Sequence, residues 1–283
     1  MDQKLETFLT LCHTMHYGRA AELLNLSQPA VSKHIQALEL QYGVKLFSYS
    51  GRRLQLTRQG ERLREYASSL RYGEEKLMRE LRGEQGTLLR IGATKSIGDY
   101  ILMPEICRFL SGEGNRLEFL VDNTARLLEH LEAGKLDFVI LEGIFDKRRY
   151  DSFLFRMEPY IGICAAGHPF AGRQILMEEL FGERLILREK GSGTRNILER
   201  ELARLGYSAE SFADCACISS FKLIKELIRA GCGVSFLYEA VVKDDGAFGH
   251  FCCPPLTGKH ELNVVYRKGT DVKNSVREFL GQL

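Results

Sequence analysis

The chain has little that would take it out of water or hold a metal. No apolar run approaches membrane-spanning length, and the first residues, Met-Asp-Gln-Lys-Leu-Glu, lack the basic-then-apolar order of a signal peptide. A cytoplasmic location away from membranes is therefore expected, with the eight cysteines reduced. Those cysteines (positions 12, 107, 164, 215, 217, 232, 252 and 253) include no Cys-x-x-Cys pair of the zinc kind. They read as small core residues, with Cys215-x-Cys217 and Cys252-Cys253 leaving redox or metal sensing as the lesser alternative. Nucleotide and nucleophile motifs are missing too: Gly191-Ser-Gly-Thr-Arg lacks the lysine and spacing of a P-loop, and no Gly-x-Ser-x-Gly turn occurs. With no His/Glu metal array either, the chain is not expected to be an enzyme. A net charge of +2 does not by itself announce a nucleic-acid partner.

What is present is better organised. At 283 residues, 45% hydrophobic and 27% charged, the chain is long enough for about two domains, each with its own core. Gly18 to Glu39 carries two short helical patterns around a break at Asn25-Leu26-Ser27. Ala20, Ala21 and Leu24 are small or apolar at helical spacing, while Val31, Ile35 and Leu38 form one apolar stripe. Ser27 suits an N-cap and Pro29 a first helical turn. The opposite face offers Gln28, Ser32, Lys33 and Gln36, hydrogen-bonding groups with no core to enter. A capped helix braced across a tight turn is what a helix-turn-helix protein places in a DNA major groove. The alternative is a surface helical hairpin with a solvated face.

Charge placement favours the first reading. From Lys45 to Arg64 six basic residues (Lys45, Arg52, Arg53, Arg58, Arg62, Arg64) stand against one acid, Glu61. Val44 to Leu56 reads as two short strands around Ser50-Gly51, a wing with Arg52 and Arg53 near its tip. Gln28, Ser32 and Lys33 are the leading groove contacts, together with Ser27 at the helix start. Pro29 and Ala30 suit a thymine methyl, and Arg52 and Arg53 suit the backbone. His34 can touch phosphate or lie on the helix side. A long helix from about Arg58 to Leu81 follows, with Leu63, Leu70 and Leu77 seven residues apart and Tyr66, Ala67 and Leu81 near a second seam position. That spacing argues for pairing with another copy; the alternative is packing on its own domain.

After a linker at Gly83–Gly86 the pattern alternates strand and helix, indicating α/β structure with a mainly parallel sheet. One helix is expected over Ser96–Leu110 and strands at Tyr160–Cys164 and Leu262–Tyr266. Thr94-Lys95-Ser96 follows the first strand; Gly191-Ser-Gly-Thr194-Arg195 opens a later helix. Hydroxyls, free N–H groups and an ammonium at facing strand ends suit a small anionic ligand. Thr94, Lys95, Ser96, Thr124, Gly143, Ser192, Thr194 and Ser219 are the candidates for it, although each can equally be a helix cap. Lys95 is large enough to bridge the cleft.

These residues resemble the LysR-type transcriptional regulators over nearly the whole chain. The resemblance rests on Ala20-Ala21, Ser27-Gln-Pro-Ala-Val-Ser32, Ile35, Leu38-Glu39, Gly43-Val-Lys-Leu-Phe47 and Leu56-Thr-Arg-Gln-Gly60. Later echoes are Ile91-Gly92, Gly134-Lys-Leu-Asp137, His168-Pro169 and Ala230-Gly-Cys-Gly-Val234. It implies a winged helix-turn-helix DNA-binding domain (1–57), a linker and dimerisation helix (58–86) and a periplasmic-binding-protein-like effector domain (87–283). Within the last, lobe I comprises 87–161 and 267–283 and lobe II 162–266, with crossings near Tyr160–Cys164 and Asn263–Arg267. Thr124 matches a ligand-contacting position of the family. The resemblance further implies a homotetramer built from dimers, double-stranded promoter DNA of interrupted dyad symmetry, contact with RNA polymerase, and a small-molecule effector in place of a cofactor. A solute-binding transport component is the rival reading of the lobes, but it would need export.

Overall fold

The computed structural model describes residues 2–51, 53–83, 86–142, 145–243, 245–270 and 272–281, and the chain divides into two compact units that meet near Gly86 in sequence. In the first unit the helices are α1 (Gln3–Thr14), α2 (Tyr17–Leu24) and α3 (Gln28–Tyr42). Their ends follow from side-chain chemistry. Asp2, His16 and Ser27 cap the starts by accepting from Lys4, Arg19 and Ala30 N–H groups, and Gly43 (φ 65°) ends α3 in the left-handed region. Phe8, Leu11, Ala20, Val31, Ile35 and Leu38 fill the space between the helices and are essentially inaccessible. The small side chains of Ala20 and Ala21 let α2 lie close against its neighbours.

The wing is β1 (Phe47–Ser50) paired antiparallel with β2 (Arg53–Leu56), turned at Gly51 with φ 62°. Glu39 ties it to α3, accepting from Lys45 Nζ (2.6 Å) and the Leu46 N–H (2.9 Å). Burial alone would raise that carboxyl's pKa, but these two donors outweigh it and hold it below the usual range. The long helix α4 runs Arg58–Leu81 without interruption at Gly73, its start capped by Thr57. Its two halves differ. Leu63 and Ala67 pack on the winged core, so Ala67 does not belong to a free seam, whereas Tyr66, Leu70, Leu77 and Leu81 are exposed.

The second unit runs β3 (Leu88–Thr94), α5 (Lys95–Tyr100), α6 (Met103–Leu110), β4 (Arg116–Asp122), α7 (Thr124–Glu132), β5 (Phe138–Glu142) and β6 (Tyr150–Ala165). It continues through α8 (Met177–Leu180), β7 (Arg184–Leu187), α9 (Gly193–Arg204), β8 (Asp214–Cys217), α10 (Phe221–Arg229), β9 (Ser235–Tyr238), β10 (Phe248–Phe251), β11 (Gly258–Arg267) and α11 (Lys273–Leu280). The single helix expected over Ser96–Leu110 is two. Pro104 has no N–H for the Tyr100 carbonyl, so α5 stops and α6 restarts with the proline in its first turn.

The sheet is mixed rather than mainly parallel. In the seven-stranded sheet β3 pairs parallel with β4 and with β5, whereas β11 lies antiparallel to β5 and to β6, and β6 is antiparallel to β9 and β10. The cause is the pair of long strands that run through both lobes. β6 leaves lobe I after Arg156 and already pairs with β9 at Tyr160; β11 starts at Gly258 and already pairs with β5 at Leu262. Both crossings thus fall a few residues before the positions expected from sequence. In lobe I, β3, β5 and β11 bury side chains on both faces. Ile91, Phe138 and Ile140 meet α6 and α11 through Phe109 and Phe279, while Val139, Leu141 and Val265 meet Leu127 and Leu131 of α7. In lobe II, β7 pairs parallel with β8 and bridges to Val234 ahead of β9.

No helix among the described residues is long and apolar enough to cross a membrane, and among them no group of three His, Cys, Asp or Glu side chains could hold a metal ion.

Candidate functional site

Two surfaces gather the residues singled out above. On α3 the buried stripe Val31-Ile35-Leu38 fixes which face looks outward, and there Ser27, Gln28, Pro29, Lys33 and Gln36 are exposed, with Ala30 and Ser32 half-buried between them. These groups share one side of one capped helix. His34 lies on its flank, its Nδ1 2.8 Å from Thr7 Oγ1. Thr7 also lies 2.8 Å from the Gln3 carbonyl, to which its hydroxyl donates, so Nδ1–H is the donor to Thr7. His34 therefore braces α3 against α1. Arg53 is exposed at the wing; Arg52 lies outside the described residues.

The second surface is a cleft between the lobes with an empty volume of about 210 Å³. Lobe I supplies Thr94, Lys95 and Ser96 from the β3–α5 junction, Asp122 and Asn123 from the end of β4, and Glu142 from the end of β5. Lobe II supplies Arg188 and Glu189 after β7, and Ser192 and Gly193 where α9 begins. Of the expected residues, Thr94, Lys95, Ser96 and Ser192 come together here. Thr194 is buried two residues further on, its hydroxyl 2.8 Å from that of Ser192 and its carbonyl accepting from Tyr160. Thr124 stands beside Asn123 with its Oγ1 buried and unpaired, and it is Asn123, accepting from the Arg126 N–H, that caps α7. Ser219 is exposed and does not line the cleft; its neighbour Ser220 caps α10. Gly143 lies outside the described residues.

Sequence reasoning named Lys95 and its reach across the cleft, but missed the other charged members, Arg188, Glu189 and Glu142. Arg188 is 3% exposed, lies 3.9 Å over the Phe221 ring and holds Glu189 through two bonds, Nε to Oε2 at 2.8 Å and an NH2 contact to Oε1 at 3.0 Å. Lys95 reaches across from lobe I to the same carboxylate, 3.1 Å away. Burial opposes ionisation of Glu189, but Arg188 outweighs it and keeps the carboxyl ionised below its ordinary range. Glu142 is in the reverse position. Fully buried, it takes the hydroxyls of Thr94 and Ser96, and desolvation raises its pKa despite those bonds and the nearby Arg188. The available signal for both residues was position: each follows an apolar run that ends a strand at the sheet's ligand-binding edge.

The cysteines differ from the core reading. All eight are free, and only Cys164 and Cys253 are buried; Cys107, Cys215, Cys217 and Cys252 are exposed. Burial pushes the Cys12 thiol up to about 12 and those of Cys164 and Cys253 to about 11, which makes them poor nucleophiles.

A winged helical reader followed by a two-lobed α/β unit with a polar cleft defines a DNA-binding regulator that answers to a small molecule. Comparison with known proteins agrees. Residues 3–61 match the family profile described as bacterial regulatory helix-turn-helix protein, lysR family, and residues 82–283 match the LysR substrate binding domain. The chain belongs to the LysR family of transcriptional regulators. It is 32% identical over 248 residues to the HTH-type transcriptional regulator CysL of Bacillus subtilis, covering 85% of this chain and 81% of that one. Against the dual regulator OxyR of Escherichia coli K12 it is 29% identical over 284 residues, covering 95% and 90%. The RuBisCO operon transcriptional regulator of Allochromatium vinosum is 31% identical over 291 residues, covering 98% and 94%. Among solved structures, a full-length OxyR variant from Pseudomonas aeruginosa shares the fold with a TM-score of 0.69 at 23% identity, covering 98% of this chain and 92% of that one. The protein is thus a DNA-binding transcriptional regulator with a C-terminal effector-binding domain.

Proposed function

We propose that α3 enters the major groove, with Gln28, Ser32 and Lys33 meeting base edges, Pro29 and Ala30 meeting thymine methyls, and Ser27 at the helix start near the backbone. Arg52 and Arg53 of the wing contact phosphate. The observation that supports this reading is the division of α3 into a buried apolar stripe and an exposed polar face. Two readers on a promoter of interrupted dyad symmetry require two copies, joined along the free half of α4 and assembled further into a tetramer that touches RNA polymerase. Such a protein works in the cytoplasm, without a cofactor or catalytic role.

In the second unit the cleft receives a small effector carrying an anionic group. Arg188 and Lys95 are the cations available to it, and Glu189 is the internal carboxylate it replaces. A ligand that favours one lobe arrangement biases one geometry of the DNA-binding pairs by its difference in affinity. The deciding measurement is binding to promoter DNA by the full chain and by a form lacking residues 1–82. Loss of sequence-specific binding in the shortened form is expected; retention overturns the assignment of α3.

A further inference from the structure

The cleft carries charges of both signs, which a receptor for a simple anion does not need. Strand order β5-β3-β4 puts Glu142, Thr94 and Asp122 at the ends of three neighbouring strands, Asp122 in register with Thr94 and Glu142 taking the Thr94 hydroxyl. A carboxyl therefore flanks Thr94 on either side. Glu142 is 2% exposed, and its oxygens take the hydroxyls of Thr94 and Ser96 that an incoming anion would use. Gly193, at the start of α9, stands directly over it: a Cβ there would lie 2.7 Å from Glu142 Oε1. An anion placed at this end would face a carboxyl in a dry environment. A cation placed there would instead pair with it and offset the cost of burying its charge.

The other end has the opposite sign. Arg188, buried and stacked on Phe221, and Lys95 both hold the carboxylate of Glu189, with the Asp99 carboxyl near enough to feel both cations. Glu189 is partly exposed, so it can turn to solvent if another carboxylate takes its place, and both cations stay paired through the exchange.

From this two-ended charge pattern we infer that the effector is a small zwitterion of the α-amino-acid class. Its ammonium lies at Glu142 and Asp122, and its carboxylate replaces Glu189 on Arg188 and Lys95. The inference rests on the reading of the cleft as the effector site and adds a second pole to it.

Matched sets of probes test it on the full-length protein by calorimetry and by shift of the unfolding midpoint. L-alanine is compared with propionate and ethylamine, and L-serine with 3-hydroxypropionate and ethanolamine, with sulfate as a plain anion. At least one amino acid should bind at least tenfold tighter than its carboxylate and amine counterparts. Glu142→Gln should lose at least tenfold of that affinity, and Asp122→Asn gives a second, more exposed variant should the first fail to fold. Carboxylates or sulfate binding as tightly as the amino acids, unaffected by either variant, would overturn the zwitterion while leaving the anionic reading standing. If no probe of either kind binds, both readings fail.

Discussion

Gly193 leaves no room for a side chain against Glu142: a Cβ built on it would meet Glu142 Cγ at 2.5 Å. Lobe II thereby touches the floor of lobe I through bare backbone. Gly193→Ala must push the start of α9 or the Glu142 side chain aside, and an overpacking cost of about 1–3 kcal/mol is expected. Chemical denaturation of Gly193→Ala, Glu142→Ala and the double variant checks the relationship. Because the alanine at 142 removes the atoms in conflict, the double variant should cost less than the sum of the two. Strict additivity would show that the contact carries no strain.

The same carboxyl makes stability depend on pH. Desolvation raises its native pKa, so the folded protein binds this proton more tightly than the unfolded chain does. The stabilisation is complete below the unfolded value, about 4.3, and is lost as pH rises through the native value. Glu142→Gln has no such proton to lose. Its unfolding free energy, measured against the wild type from pH 4 to pH 8, should therefore rise relative to the wild type as pH increases. A difference that stays flat across that range would contradict the raised value.

On α3, Ser32→Ala combined with Lys33→Ala removes the half-buried hydroxyl and the exposed ammonium of the polar side, while Val31, Ile35 and Leu38 stay in place. Thermal stability should change by no more than about 0.5 kcal/mol, as for other surface positions. Promoter binding should be abolished at moderate salt. Lys33→Ala alone tests phosphate contact against base contact. A phosphate lysine lowers the slope of log affinity against log salt by about 1 and weakens all sequences alike, whereas a base contact relaxes preference at one position.

How far the sequence foretold this arrangement depends on the range of the forces involved. The helical reader was legible because its determinants are local: Ser27 caps, Gly43 stops, and the Val31-Ile35-Leu38 stripe orients the helix without help from distant residues. The break at Ile101-Leu102 was legible in principle from Pro104, but the apolar spacing of Ile97, Ile101 and Leu102 masked it. The mixed sheet was not legible, since strand direction in β6 and β11 is set by partners about a hundred residues apart. For the cleft, hydroxyls and glycines at strand ends pointed to Thr94, Ser96 and Ser192. The bridging reach of Lys95 was legible from its length, but its partner was not, because Glu189, held by its neighbour Arg188, meets Lys95 only once two lobes have folded.

The long helix supplies the last test. Leu70 and Leu77 are 42% and 52% exposed, two heptad-spaced leucines on a helix whose earlier seam residue, Leu63, is already packed on the winged core. Covering a leucine is worth about 1.5–3 kcal/mol, so a second copy laid along this stripe gains several such contributions at once. Glutamate at both positions would bring like charges together across a symmetric seam while disturbing no core of its own chain. Leu70→Glu with Leu77→Glu should therefore sediment as a monomer and bind promoter DNA at least tenfold more weakly, with the winged unit's unfolding midpoint unchanged. A variant that remains an oligomer of native size would show that the copies meet through a different surface.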